Sequence, residues 1–178
     1  MYTYHPVVEI LVKSFGTTPE SLEPLHEQLL AYRENTDGLK DALLKHNVTS
    51  ETAFQQALAS YYELDYRESF NDIPVVREYT EIIPIRYAKK NIFFPLKKEK
   101  NTLEVAITNP ELSQPLDDLA RHFKCHIELV LSHKQAVLDL INRAYDESSA
   151  STEDAVDQLD SDETFENILA VEEPEDLL

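Results

Sequence analysis

The chain has 178 residues, 42% of them hydrophobic, and carries 34 acidic against 16 basic residues for a formal net charge of −18. That balance excludes a surface built to displace counterions from nucleic-acid phosphates or to sit by charge on anionic lipid. Two glycines, Gly16 and Gly38, cannot supply a glycine-rich phosphate loop, so NTP hydrolysis or dinucleotide chemistry by the usual motifs is excluded too.

A single cysteine, Cys125, offers no internal disulfide and suits a reducing compartment. The N-terminus lacks the basic start, apolar run and cleavage site of a signal peptide. No stretch approaches the ~20 apolar residues that cross a bilayer. The expectation is a soluble, cytoplasmic chain of one domain or two small subdomains.

Val8, Leu11, Val12 and Phe15 fall at i, i+3, i+4 and i+7, one face of a first helix, and Pro6 suits its first turn. Leu22, Leu25, Leu29 and Tyr32 predict a second helix, with Thr18 as its N-cap and Pro24 as a disturbance. Leu39, Ala42, Leu43 and His46 predict a third, ended by Asn47 in the left-handed conformation. Ser50 caps a fourth, with Phe54, Ala57, Leu58 and Tyr61 on its buried face. These four helices make a small bundle.

Beyond residue 70 the period changes. A short helix over residues 82–90 is opened by Pro84. Strands over 92–97 and 103–108, joined by the polar turn 98–102, read as a hairpin with a basic, exposed loop. Leu116, Leu119, Ala120 and Phe123 mark a helix, and His126–Leu131 a third strand. Ser132 caps a last helix with the stripe Val137, Leu138, Ile141 and Tyr145. From Asp146 to the end there are thirteen acids and no Lys or Arg. Such a segment buries too little to offset its ordering entropy, so a disordered acidic tail is expected. The expected class is α+β: a helical subdomain at 1–70, a three-stranded sheet covered by helices at 71–146, and a linker or tail at 147–178.

In the second zone Ile83-Pro84, Tyr87-Ala88-Lys89-Lys90, Pro95-Leu96, Leu103-Glu104-Val105-Ala106-Ile107, Asn109-Pro110, Leu116-Asp117-Asp118-Leu119 and a closing Ile141 and Tyr145 follow in order. Together they resemble the N-terminal domain of the type II secretion and type IV pilus assembly ATPases, the GspE/PilB family, of the MshEN-like kind. The helical zone from Leu39 to Tyr66 is similar to one copy of that family's bundle repeat. The acidic run ending Glu173-Pro174-Glu175-Asp176-Leu177-Leu178 is similar to the linker before its catalytic core.

The resemblance implies a fragment, or a natural stand-alone copy, without the motor. The missing P-loop and missing tetracysteine zinc residues agree with that. It implies no enzyme and no cofactor, a monomer in isolation, and a hexamer for the parent ATPase. The implied partner is the cytoplasmic domain of an inner-membrane assembly protein of the GspL kind, which would hold the chain at the membrane without insertion. Type II secretion and pilus assembly both fit.

Members of the wider family bind cyclic di-GMP in the helical zone, through a motif that opens with Arg-Leu-Gly, has a second Gly at a helix end and closes with Gln. Arg stacks on guanine and pairs with phosphate, Gly lets the backbone approach, and Gln reads the ligand through its amide. Here the Arg position is Gly38, the first Gly is Lys40, the second is Asn47 and the Gln is Tyr61; in the earlier copy the Gln position falls at Tyr32. The apolar frame Leu39, Leu43, Phe54 and Leu58 survives. No nucleotide binding is expected; a cyclic di-GMP receptor module is the alternative function.

Function is then expected in a surface. Tyr2, Tyr4, Val7 and Ile10 lie off or before the first helix's main stripe and are expected to be exposed, as the main partner-binding face. Lys97, Lys98 and Lys100, with Lys89-Lys90, form a second candidate, facing an acidic partner or the chain's own tail; edge-strand protection is the competing explanation. His122, Cys125 and His126 form H-x-x-C-H, but a helix-end and a strand-start histidine need not converge as zinc requires, so no metal is expected. The adjacent pairs Asp117-Asp118 and Asp162-Glu163 point apart on a helix and make no acid–base pair.

Overall fold

The computed structural model describes residues 4–150. The predicted tail therefore lies outside the described residues, except that its first four positions belong to the last helix. Helix α1 (Pro6–Ser14) opens with Pro6 in its first turn, and its cap is the His5 ring, whose Nδ1 accepts from Val7 N at 3.2 Å. Pro24 breaks the expected second helix. The segment splits into α2 (Pro19–Leu22), a 3₁₀ turn (Glu23–Leu25) and α3 (His26–Ala31), because proline has no N–H to give the ladder. Leu22, Leu25 and Leu29 are nevertheless all buried.

Asn35 caps α4 (Thr36–Lys45) by accepting from Gly38 N at 2.9 Å. The helix ends in a Schellman turn: Asn47 sits at φ 54, its N–H reaches Leu44 O, and Val48 N reaches Leu43 O. Ser50 caps α5 (Glu51–Tyr62) through Ala53 N, as expected. Two stripes end outside the core: His46 and Tyr61 are exposed. Each lies in the last turn of its helix or just past it, where no neighbouring element covers it.

The sheet has four strands, in the order β1-β4-β3-β2. The additional strand β1 (Asp65–Tyr66) pairs in parallel with β4 (His126–Leu131), Asp65 facing Val130 and Tyr66 facing Leu131. Two residues carry no alternation, so sequence periodicity could not show it. β2 (Phe93–Glu99) and β3 (Thr102–Ile107) form the predicted hairpin, and β3 runs parallel to β4. Pro95 is tolerated because β2 is an edge strand, and the register shifts between Pro95 and Lys97.

Helices α6 (Arg77–Ile82), α7 (Ile85–Asn91), α8 (Gln114–Phe123) and α9 (Lys134–Ala150) complete the second half. Ser132 does not cap α9. It is fully buried, and its hydroxyl donates to Arg67 O at 2.6 Å, tying the chain after β1 to the end of β4. Tyr79 makes edge contacts with Phe94 and Phe123, and Phe94 with Tyr145, so α6, α8 and α9 share one aromatic layer over β2. The Tyr145 hydroxyl donates to Ile83 O. Burial pushes the Tyr79 phenol up to about 12, and raises Tyr145 further. No helix among the described residues is long and apolar enough to cross a membrane.

Candidate functional site

The degenerate nucleotide positions lie on α4 and α5, where the surviving frame is fully packed. Leu39, Leu43 and Phe54 have no exposed surface, and Leu58 has 1%. The positions that would touch a ligand are used differently. At Gly38 a Cβ would lie 2.6 Å from Cδ1 of Tyr32, so the tyrosine ring rests directly on this backbone. Tyr32 and Gly38, which the family resemblance aligns with the Gln of one copy and the Arg of the next, close on each other here.

Lys40 Nζ bonds Glu51 Oε1 at 2.8 Å, with the two side chains 17% and 37% exposed. The same carboxylate oxygen accepts from Lys134 N, the first residue of α9, at 3.4 Å. Burial works to raise the Glu51 carboxyl, but the bond and charge of Lys40 outweigh it and hold the carboxyl below its ordinary range. Asn47 keeps a glycine-like backbone conformation without a glycine. Tyr61 stands exposed, in edge contact with His5 at 5.4 Å and Tyr62 at 4.9 Å. At the position where the motif requires each, Gly38 offers no guanidinium, Lys40 and Asn47 no bare backbone, and Tyr61 no amide.

The two halves meet at the loop between β3 and α8. Glu111 Oε1 accepts from Thr36 Oγ1 at 3.0 Å and from the Tyr62 hydroxyl at 3.1 Å. Asn109 Nδ2 donates to Asp37 Oδ2 at 3.2 Å, and Gln55 Nε2 to Thr108 O at 3.3 Å. Burial, then the Glu111 charge, raises the Tyr62 phenol. Burial lowers the His5 imidazole pKa, against an opposing pull from Glu111. Sequence reasoning used Asn109-Pro110 only as one piece of the family pattern. It missed Glu111, because its partners Thr36 and Tyr62 are remote in the chain and follow no spacing rule.

The first-helix face is smaller than expected. Val7 has no exposed surface: with Val8 and Leu11 it makes up the buried side of α1, so it is core and not a contact residue. Tyr4 is half-buried, with its hydroxyl 2.6 Å from His26 Nδ1. Ile10 is half-buried against the core, and Tyr2 lies outside the described residues. The lysine hairpin is exposed, as expected. Lys97 is paired to Glu99 at 3.1 Å and Glu104 at 3.7 Å; Lys98 donates to Phe123 O at 3.2 Å; Lys100 lies at the turn with φ 52.

His122 packs on the Phe123 ring, Cys125 is buried and His126 is exposed. No group of three or more His, Cys, Asp or Glu among the described residues could hold a metal ion.

Residues 62–151 match the model of the MshEN domain. Over 154 residues the chain is 25% identical to the type IV pilus assembly ATPase PilB of Myxococcus xanthus. That alignment covers 86% of this chain but 26% of PilB, so the chain spans about a quarter of the length of this curated relative. Among solved structures, MshE with cdg (cyclic di-GMP) superposes with a TM-score of 0.61 at 20% identity, covering 78% of this chain and 98% of that one. The N-terminal domain of XpsE superposes with a TM-score of 0.57 at 20% identity, covering 80% and 98%. At these identities the two structures establish the fold alone.

Proposed function

The chain belongs to the MshEN domain family, the type found as the N-terminal domain of GspE/PilB-like ATPases, and from that premise we propose that it is a docking and regulatory domain that does no chemistry itself. Its partner would be the cytoplasmic domain of an inner-membrane assembly protein of the GspL kind, in type II secretion or pilus assembly. The observation that carries this reading is the filling of the nucleotide positions by the protein's own groups: Tyr32 on Gly38, Glu51 on Lys40, and an aromatic at Tyr61. A domain that has kept its frame and replaced its ligand contacts retains a shape to present to another protein.

We place the docking face where α1 begins and α5 ends. There Tyr61 is the large exposed apolar side chain among the described residues and touches His5 at the start of α1, with Tyr4 half-buried just before that helix and Ile10 half-buried on it. Exposed aromatics beside a polar rim suit a binding hot spot. Replacing Tyr4, Ile10 and Tyr61 together by Ser is expected to weaken partner binding by roughly 2 kcal/mol or more. Tyr61→Ser alone should leave the thermal melt within about 0.5 kcal/mol of the parent. Unchanged binding in a folded triple variant would move the face to Lys97–Lys100.

A second reading, a cyclic di-GMP receptor, is favoured by the likeness in fold to MshE with cdg. Calorimetric titration decides between them. The docking reading expects no heat at protein concentrations of tens of micromolar. A dissociation constant in the low micromolar range, roughly −8 kcal/mol, establishes the receptor instead. ATP turnover is expected to be absent, and any that survives successive columns with the protein would contradict a domain without chemistry.

A further inference from the structure

In an acidic chain, basic side chains collect at one end of the sheet. The tip of the β2–β3 hairpin brings Lys98 and Lys100. The end of α8 brings Arg121 and Lys124, and β4 begins beside them with His126. All five are exposed. Two contacts hold the group together. Lys98 Nζ lies on Phe123 O and 5.5 Å from that ring's centroid, and His126 N donates to Asn101 O at 2.8 Å. The acids facing the group are few. Glu99 is drawn to Lys97. Asp118, with a side chain 3% exposed, takes Arg121 at 3.5 Å. Glu128 lies two residues along β4. Among the described residues neither Lys100 nor Lys124 has an ion-pair partner. Edge-strand protection does not account for Arg121 and Lys124, which stand on and just past a helix.

The last turns of α9 lie against α6, whose Tyr79 reaches the end of α8 at this group. β4 runs away from the basic group, from His126 to Leu131, and α9 starts three residues later and turns back. Seventeen residues of α9 rise about 25 Å, against about 20 Å for the six of β4. Ser148, near the end of α9, meets Thr80 at 3.1 Å; the neighbouring Tyr79 touches Phe123; and Phe123 O holds Lys98. Residues 151–178, next in the chain, include eleven Asp and Glu and no Lys or Arg. Ten residues reach at most about 33 Å, a tether that Asp160, Asp162 and Glu163 have in full and that Asp157 and Asp154, nearer the end of α9, have in part. A short tether holds them at an effective concentration in the millimolar range, enough for several weak pairs to act together.

We propose that the acidic segment 151–178 docks in cis on the basic end formed by Lys98, Lys100, Arg121, Lys124 and His126. It would cover that surface until an anionic partner surface displaces it. Docking in cis is independent of which protein binds at α1 and α5.

The test is ¹⁵N NMR on the full chain, with a second full-length chain in which Asp154, Asp157, Asp160 and Asp162 become Asn and Glu163 becomes Gln. At about 20 mM NaCl, where screening is weak, the two spectra should differ at amides 98–101 and 121–126 and agree at 109–112, at the far end of the sheet. At about 500 mM NaCl the differences should shrink about fivefold or more as exposed charges are screened. Lys100→Glu with Lys124→Glu should abolish the salt response of residues 153–163. Spectra that coincide at low salt, or that differ at another surface such as Lys89-Lys90, overturn the proposal. So does a salt response that survives the double charge reversal.

Discussion

The helical half and the sheet half bury side chains of the same kind, but different bonds hold them in place. In the helical half, short helices are fixed one by one at their ends: His5 caps α1, Asn35 caps α4, Ser50 caps α5, and a Schellman turn closes α4 at Asn47. In the sheet half, ladders between distant segments set the register, and one aromatic layer of Tyr79, Phe94, Phe123 and Tyr145 locks helices to strands. The difference teaches where change is tolerated. Local caps leave positions such as Gly38, Lys40, Asn47 and Tyr61 freer to vary than the inner leucines Leu39, Leu43 and Leu58. The sheet offers less such freedom, since each inward residue also fixes a partner strand.

The sharpest way to break this contrast is to open a cavity on each side. Phe54→Ala and Phe94→Ala each remove a ring that is at most 1% exposed, and each is expected to cost about 3–5 kcal/mol. If the halves unfold as one, urea melts followed by hydrogen exchange will show both halves losing protection together in either variant. If Phe54→Ala frees only residues up to Tyr62 while Val105 and Leu129 stay protected, the halves are separate folding units.

A smaller effect is expected at the seam. Glu111→Ala removes the acceptor for the Thr36 and Tyr62 hydroxyls. Thr36 is 2% exposed and would be left without its bond, at a cost of about 1–3 kcal/mol. Glu111→Gln keeps an acceptor and should recover part of that loss. An alanine variant as stable as the parent would show that the halves are joined by burial alone.

Acidification is expected to act on the helical half first, and most weakly of the three. Burial holds the folded His5 imidazole below its ordinary 6.5. The unfolded chain therefore takes up that proton first, and stability is full above about pH 6.5 and declines below it. Protonation at Nδ1 would also remove the cap on Val7 N. Glu51 lies below its ordinary 4.5 through Lys40, so its contribution is present above that pH and lost as pH falls through the folded value. Each step should be about 1 kcal/mol or less, since Glu51 is partly solvated. His5→Gln should flatten the melt between pH 7 and 5.5, and Lys40→Met the melt below pH 5. A pH response unchanged in both variants would place the titrating groups elsewhere.

The legible part of this fold was the part written in local chemistry. Helix faces at 3.6-residue spacing, the caps at Ser50 and Asn47, and the strands β3 and β4 all follow from the chemistry of neighbouring residues. Where sequence reasoning failed, the cause was remote. Val7 looked like a surface residue because a stripe of four already served α1, but the core covers a wider arc of that helix than the stripe and leaves Val7 with no exposed surface. Ser132 has the chemistry of a cap, and its hydroxyl is claimed by the Arg67 carbonyl instead. In the candidate site, the departure of Gly38, Lys40, Asn47 and Tyr61 from the nucleotide motif of the family it resembles was plain in the residues themselves. That Tyr32 closes over Gly38 was not, because a ring's resting place depends on the packing of α3 against α4.

By itself, then, the sequence determined the class, the order of the elements apart from β1 and α6, the absence of a phosphate loop and the family likeness. These rest on composition, on periods of two and 3.6, and on short-range caps, all of which act between residues close in the chain. Tertiary structure alone decided the fourth strand at Asp65–Tyr66, the Glu111 seam, and the gathering of Lys98, Lys100, Arg121, Lys124 and His126 at one end of the sheet. Each of these joins residues tens of positions apart, or is too short to carry a period. Their free energy comes from desolvating and pairing groups that meet only once the chain has closed on itself, and no local pattern records which groups those are.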